Sequence, residues 1–216
     1  MSEKSKHKIL NKIAAIRTNR TAAIVVDGNS ATEYCNDAIY RPIEPDLISC
    51  FKAELEAISG QCIVCENEKE FIDKFNSELN SKQIPYVFCR EKVISELLLS
   101  NQIKCSSSET DVENMQAGIT SCEFLIARTG SLIISSATES GRQMLVFPPI
   151  HFVVARASQL LSYPEEALNA MLNKYNAKLP SVISTITGPS RTADIEKTLV
   201  LGAHGPKELV VFLLKN

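Results

Sequence analysis

A chain of 216 residues, 44% apolar and 22% charged, has the size and balance of one large globular domain that can bury a core without disulfides or metal. Its net charge of −2 argues against nucleic acid or an anionic membrane as a bulk partner, and no apolar run approaches the ~20 residues that span a bilayer. The seven cysteines are odd in number, and residues 1–8 are polar with no apolar signal region behind them, so the expectation is a cytoplasmic protein with reduced thiols.

In chain order, Lys8 to Arg17 places Ile9, Leu10, Ile13 and Ile16 on one helical stripe. This predicts an N-terminal helical extension over residues 1–20, followed by one domain over 21–216. A lone amphipathic helix must pack on the chain's own core or on a second subunit, so a homo-oligomer is one outcome. Leu47, Ile48, Phe51, Leu55 and Ile58 give a second helix, with Gly60 as its C-terminal cap. Cys62 to Cys65 reads as a buried strand, Phe71 to Leu79 as a helix, Ile84 to Cys89 as a strand and Glu91 to Leu99 as a helix. Ser106 to Glu113 reads as a surface loop. Strand-like runs follow at Phe124–Ala127, Ser131–Ser135, Met144–Phe147 and Phe152–Ala155. Pro164 opens a helix with Leu168, Met171, Leu172 and Tyr175 on its apolar face. Val182 to Thr187 is predicted as a strand, Thr192 to about Leu199 as a short helix, and Leu209 to Leu214 as a last buried strand. Strands alternating with helices predict an α/β fold with a mostly parallel sheet and helices on both faces.

Three segments carry candidate chemistry. In Thr187-Gly188-Pro189-Ser190-Arg191-Thr192-Ala-Asp194 a strand meets a tight turn and an expected helix start. The free amides and positive dipole end of such a helix, with the hydroxyls of Ser190 and Thr192 and the Arg191 guanidinium, suit a carboxylate or phosphate. The plainer alternative is an ordinary capped helix, with Asp194 complementing the dipole. In Gly202-Ala-His204-Gly205-Pro206 a histidine sits on a sharp turn before a buried strand, either as a base or as a structural turn residue. Thr129-Gly130-Ser131 either presents amides to an anion or forms a hairpin turn. His151, after Pro148-Pro149-Ile150, lines the same pocket as this turn or ends a strand. Cys62 and Cys65 have metal spacing, but on a strand the two positions face opposite sides and both read as core.

These motifs together resemble the LUD domain family, which includes LutC and YkgG. The likeness is carried by Gly118-Ile-Thr, Ile126-Ala-Arg-Thr-Gly-Ser-Leu, Phe147-Pro-Pro-Ile-His151, Thr187-Gly-Pro-Ser-Arg-Thr-Ala-Asp-Ile-Glu196 and Gly202-Ala-His-Gly-Pro206. It implies a fold like that of ribose-5-phosphate isomerase, glucosamine-6-phosphate deaminase and the CoA transferases (NagB/RpiA/CoA transferase-like). It further implies a role in oxidising L-lactate to pyruvate beside an iron–sulfur subunit and a cysteine-rich subunit. The chain lacks the cysteine spacing of a cluster protein and contains no Gly-x-Gly-x-x-Gly. The expectation is therefore that it binds no cofactor of its own and that iron–sulfur centres lie in partners. One departure stands out: the family commonly has Ala-Glu-Thr-Gly-Thr where this chain reads Ala127-Arg128-Thr129-Gly130-Ser131. The missing glutamate counts against CoA transfer through a covalent carboxylate.

Three functions are consistent with these residues. In the first, Arg191 and the helix N-terminus at Thr192 hold a lactate carboxylate, with Thr129, Gly130, Ser131, Thr187, Gly188, Pro189, Ser190, Asp194, Gly205 and His151 around it, and His204 takes the hydroxyl proton. The second is a stand-alone isomerase or transferase on a phosphosugar or CoA. The third is a non-catalytic assembly module on an old enzyme fold.

Overall fold

The structure is a computed structural model that describes residues 43, 46–112, 114–193 and 199–215. The helical extension expected over 1–20 lies outside these residues, as does Asp194.

Asp46 starts helix α1 (Leu47–Ala57), its carboxylate accepting from Ser49 N at 2.9 Å. Ser59, not Gly60, takes the left-handed position after the helix, with φ of 67°. Gly60 is needed for a different reason: a Cβ there would stand 2.4 Å from Leu55 Cδ1. The expected alternation follows as β1 (Gln61–Cys65), α2 (Glu68–Ser81), β2 (Val87–Phe88), α3 (Lys92–Ser100) and β3 (Cys105–Ser106). Next come β4 (Ala117–Ser121), β5 (Phe124–Ile126), β6 (Ser131–Ser135), β7 (Ile150–Arg156), β8 (Leu160–Leu161) and α4 (Pro164–Lys174). The chain ends with β9 (Ile183–Ile186), β10 (Arg191–Ala193), β11 (Leu199–Leu201) and β12 (Glu208–Leu214).

Six strands form a sheet in the order β1-β12-β7-β4-β2-β3, with every neighbour parallel. Helices α2 and α3 cover one face, where Phe71, Phe75 and Leu98 meet Ile119, Phe152 and Phe212. Phe75–Phe152 and Phe71–Phe212 pack edge to face at 5.1 and 5.2 Å. The other face packs on α1, through Phe51 and Leu55, and on the inner side of a four-stranded sheet β8-β5-β6-β9. Helix α4 covers the outer side of that smaller sheet, Ala167 and Met171 lying against Ile126 and Ile133. The architecture is the α/β sheet with helices on both faces that the alternation predicts. Cys62 lies in one core and Cys65 in the other, so these two thiols do not share a metal ion.

Two elements depart from expectation. Met144 to Phe147 is not a strand; Gln143–Leu145 forms a 3-10 turn, and Met144 is buried with Phe88, Val112 and Met115. The expected helix from Thr192 does not begin there: Arg191–Ala193 pairs antiparallel with Leu199–Leu201, Arg191 opposite Leu201. Cross-strand pairing satisfies these backbone groups, and a short segment containing Thr and Val fits a strand as well as a helix.

Candidate anion site

The antiparallel register of β6 and β9 sets Leu132 opposite Ile186, which brings Ser131 beside Thr187. Ser131 Oγ and Thr187 Oγ1 are 2.8 Å apart. The chain then turns at Gly188, whose φ is +80° and whose Cβ, if present, would lie 2.8 Å from Ile58 O. Both the dihedral and the close approach to the end of α1 demand glycine. Two hydrogen bonds stitch this turn to the histidine turn: Ser190 N donates to Pro206 O at 2.8 Å, and Gly202 N to Ser190 O at 3.0 Å. Residues 12 and 16 apart in sequence are thereby bonded, and the two turns close around one cavity of about 230 Å³. Thr185, Thr187, Gly188, Ser190, His204 and Gly205 line it, over an apolar floor that includes Leu145 and Leu209. His204 is exposed and Ser190 half-buried.

A second cavity of about 360 Å³ lies between the smaller sheet and α4, lined by Thr129, Ser131, Thr185 and Thr187 together with Ile126, Ile133, Leu168 and Met171. Thr185 and Thr187 belong to both cavities. Thr129 Oγ1 is buried without a hydrogen-bond partner among the described residues. Thr129-Gly130-Ser131 is a hairpin turn, since β5 and β6 pair antiparallel on either side of it. Gly130 takes φ of +58° there and seats against α1, where a Cβ would fall 2.3 Å from Leu55 N. Gly130 therefore fixes the turn from behind. Arg128 Nη1 lies 3.9 Å from Glu54 Oε1 of α1.

Arg191 has another task than the one its neighbours suggested. It lies in β10 and not at a helix N-terminus, and its Nη2 donates to Ile58 O, at the C-terminal end of α1, at 2.7 Å. The same carbonyl lies under Gly188, so Arg191 anchors the turn to α1. Pro189 is buried and offers no N–H. His151 is fully buried on β7; its Nε2 is 2.9 Å from Thr120 Oγ1, and its Nδ1 has no partner among the described residues. Burial pulls its pKa down to about 4, which leaves a neutral imidazole. Its register partner on β12 is Leu209, in the floor of the smaller cavity, so His151 lies beside that floor on the neighbouring strand.

Sequence reasoning missed a buried carboxylate. Glu123, between β4 and β5, accepts from Ser135 Oγ (2.5 Å), Tyr175 OH (2.7 Å) and Lys174 Nζ (2.6 Å). Burial pushes its pKa up, but the three donors outweigh burial and hold it below the usual carboxylate range. The only signal was a glutamate inside the apolar run Cys122-Glu123-Phe124-Leu125. A third cavity, about 250 Å³, opens at the carboxyl ends of the parallel strands, where open α/β sheets often bind ligands. Polar groups on its rim already hold protein partners: Arg156 Nη2 donates to Glu68 Oε1 at 2.9 Å, Gln159 Nε2 to Cys122 O at 2.6 Å, and Ser121 N to Glu91 Oε1 at 2.8 Å.

The motifs that build these turns fall inside a match to the family model LUD domain, which runs over residues 48–214. The chain belongs to the LUD domain family. This LUD domain is 37% identical over 101 residues to uncharacterized protein NMB1437 of Neisseria meningitidis serogroup B, covering 47% of this chain and 43% of that protein. It is 30% identical over 115 residues to YkgG of Escherichia coli, covering 52% of this chain and 50% of YkgG. It is 29% identical over 178 residues to lactate utilization protein C of Geobacillus thermodenitrificans, covering 79% of this chain and 70% of the relative. The chain thus spans about half the length of the first two relatives. A solved DUF162 family protein from Deinococcus radiodurans superposes with a TM-score of 0.59 at 18% identity, covering 78% of this chain and 96% of that one; it shares the fold. Among the described residues no helix is long and apolar enough to cross a membrane.

Proposed function

We propose that this LUD domain is a component of an L-lactate utilisation system, oxidising L-lactate to pyruvate with an iron–sulfur subunit and a cysteine-rich subunit, and that the cavity at Gly188 and His204 holds a small carboxylate or phosphate. The observation that carries the reading is the Ser190 N to Pro206 O bond, which draws the two turns around one cavity of about 230 Å³. The lactate utilization protein C relatives supply the substrate class. In this reading Thr187 and Ser190 donate to the anion and His204, exposed at the rim, accepts the hydroxyl proton. Arg191, through Ile58 O, holds the turn in place. The Cα–H bond breaks in the same oxidation, its two electrons passing to a redox centre in a partner and its proton to solvent.

Two measurements test it. Tagged protein drawn from its own host growing on lactate should bring down proteins that carry iron and acid-labile sulfide. L-lactate, pyruvate or phosphate should raise the Tm of the full chain, because a ligand specific to the folded state stabilises it, and Ser190→Ala with His204→Ala should remove that rise. Recovery of the chain without any iron–sulfur protein, together with no Tm response, overturns the proposal. Turnover of a phosphosugar by the chain alone would favour the isomerase-type reading instead.

A further inference from the structure

The 360 Å³ cavity beside α4 is larger than the anion cavity and more apolar. Ile126, Ile133, Leu168, Met171 and Ile183 line it together with the hydroxyl side chains of Thr129, Ser131, Thr185 and Thr187. Ser131 Oγ lies 2.8 Å from Thr187 Oγ1, and Thr187, with Thr185, lines both cavities. Thr129 adds a buried hydroxyl with no partner among the described residues, the kind of group that a bound ligand or water satisfies. The space is on the order of a dozen water volumes, far more than a three-carbon acid occupies. Taken singly, the anion cavity is below the roughly 300 Å³ where small-molecule pockets usually begin, whereas the two neighbouring cavities together lie within that range.

We infer that the natural ligand is amphiphilic: an anionic head at Gly188, Ser190 and His204, continued by an apolar tail that passes Thr187 and lies between the smaller sheet and α4. The inference extends the proposed anion site and relies on it for the head alone. Thr129 and Ser131 face the junction and hydrogen-bond a hydroxyl or carbonyl near the head. Leu168, 55% exposed, forms the outer lip over the tail. The ligand class is a carboxylate or phosphate ester bearing an aliphatic or flat ring portion.

The test is titration calorimetry on the full chain with inorganic phosphate, L-lactate, hexanol, and the series acetate, butyrate, hexanoate and octanoate. Affinity should rise roughly fourfold for each methylene that enters the cavity. Met171→Trp, which fills the tail space, should bring octanoate back to the affinity of acetate and leave phosphate binding unchanged. Leu168→Trp, at the exposed lip and harmless to the core, should reduce the chain-length dependence in the same way and serves where Met171→Trp does not fold. Ser190→Ala with His204→Ala should weaken phosphate and every acid alike. A flat series in the wild-type protein, or a slope untouched by both tryptophan variants, overturns the tail site. Hexanol binding as tightly as hexanoate overturns the link between tail and head. A slope that persists while phosphate fails to bind leaves the tail cavity standing and overturns the anion site.

Discussion

Ser131 Oγ and Thr187 Oγ1 stand 2.8 Å apart, and Thr187 lines both cavities. The two residues are far apart in sequence and meet because β6 and β9 are antiparallel neighbours. Ser131→Ala should cost about 1 kcal/mol, and Thr187→Val less, since Thr187 is exposed. A double-mutant cycle read from urea midpoints should return a coupling of about 0.5–1 kcal/mol; a coupling of zero would mean the contact is not formed in solution.

Gly188→Ala should be more damaging than its size suggests. The residue must hold φ of +80° and would press a methyl group to 2.8 Å from Ile58 O. The strain is on the order of 1–3 kcal/mol, and relief would move the turn away from His204. The expected outcome is a lower Tm with loss of any phosphate-induced stabilisation. Retention of both would show that the turn adapts.

His151 makes stability depend on pH. In the folded state burial lowers its pKa to about 4, against 6.5 for the free side chain. The unfolded chain therefore takes up a proton that the folded chain refuses between those values. The stability contribution is fully present above pH 6.5, declines as pH falls toward 4, and is then lost, amounting to roughly 3 kcal/mol. His151→Gln, which cannot titrate, should flatten the urea midpoint between pH 7 and pH 5. An equally steep decline in the variant would assign the effect to other groups.

Lys174→Met should strand the Glu123 carboxylate with only the Ser135 and Tyr175 hydroxyls for support. The cost should be about 2–3 kcal/mol at pH 7. Because the folded pKa of Glu123 is lowered, its contribution is present above the ordinary carboxylate pKa and disappears as pH falls through the folded value. The gap between wild type and variant should therefore narrow in acid. Glu123→Gln with Lys174→Met should recover part of the loss, which guanidinium melts can measure.

The buried thiols should be inert in the native protein. Burial raises Cys62 and Cys89 to about 12 and Cys122 higher still, so little thiolate exists near neutrality. Mass-spectrometric footprinting with iodoacetamide at pH 8 should leave these three unlabelled until the chain unfolds, while half-buried Cys50 and Cys105 label before them. Early labelling of Cys122 would contradict the core described for it.

Much of the fold could be read along the chain because its signals are local. Ser131–Ser135, Phe71–Leu79 and the Pro164 helix stand where their periodicity put them, since the spacing of apolar residues already encodes which face is buried. The Thr192 segment failed for the opposite reason. Its composition fits either a helix or a strand, and a partner at Leu199–Leu201 decided the matter. Strand Cys105–Ser106 was invisible because an edge strand of two residues takes its conformation from β2.

The candidate site divides in the same way. The glycine turn, the histidine turn and the Thr-Gly-Ser hairpin each carry their own local chemistry, and the sequence by itself marked all three. The tertiary structure alone decided that the first two close around one cavity, that Arg191 serves Ile58 O, and that Glu123 is a buried anchor for Lys174 and Tyr175. Turns are written by neighbouring residues, through φ and through hydrogen bonds a few positions away. Cavities and buried ion pairs arise between strands distant in sequence, and no window along the chain holds both partners.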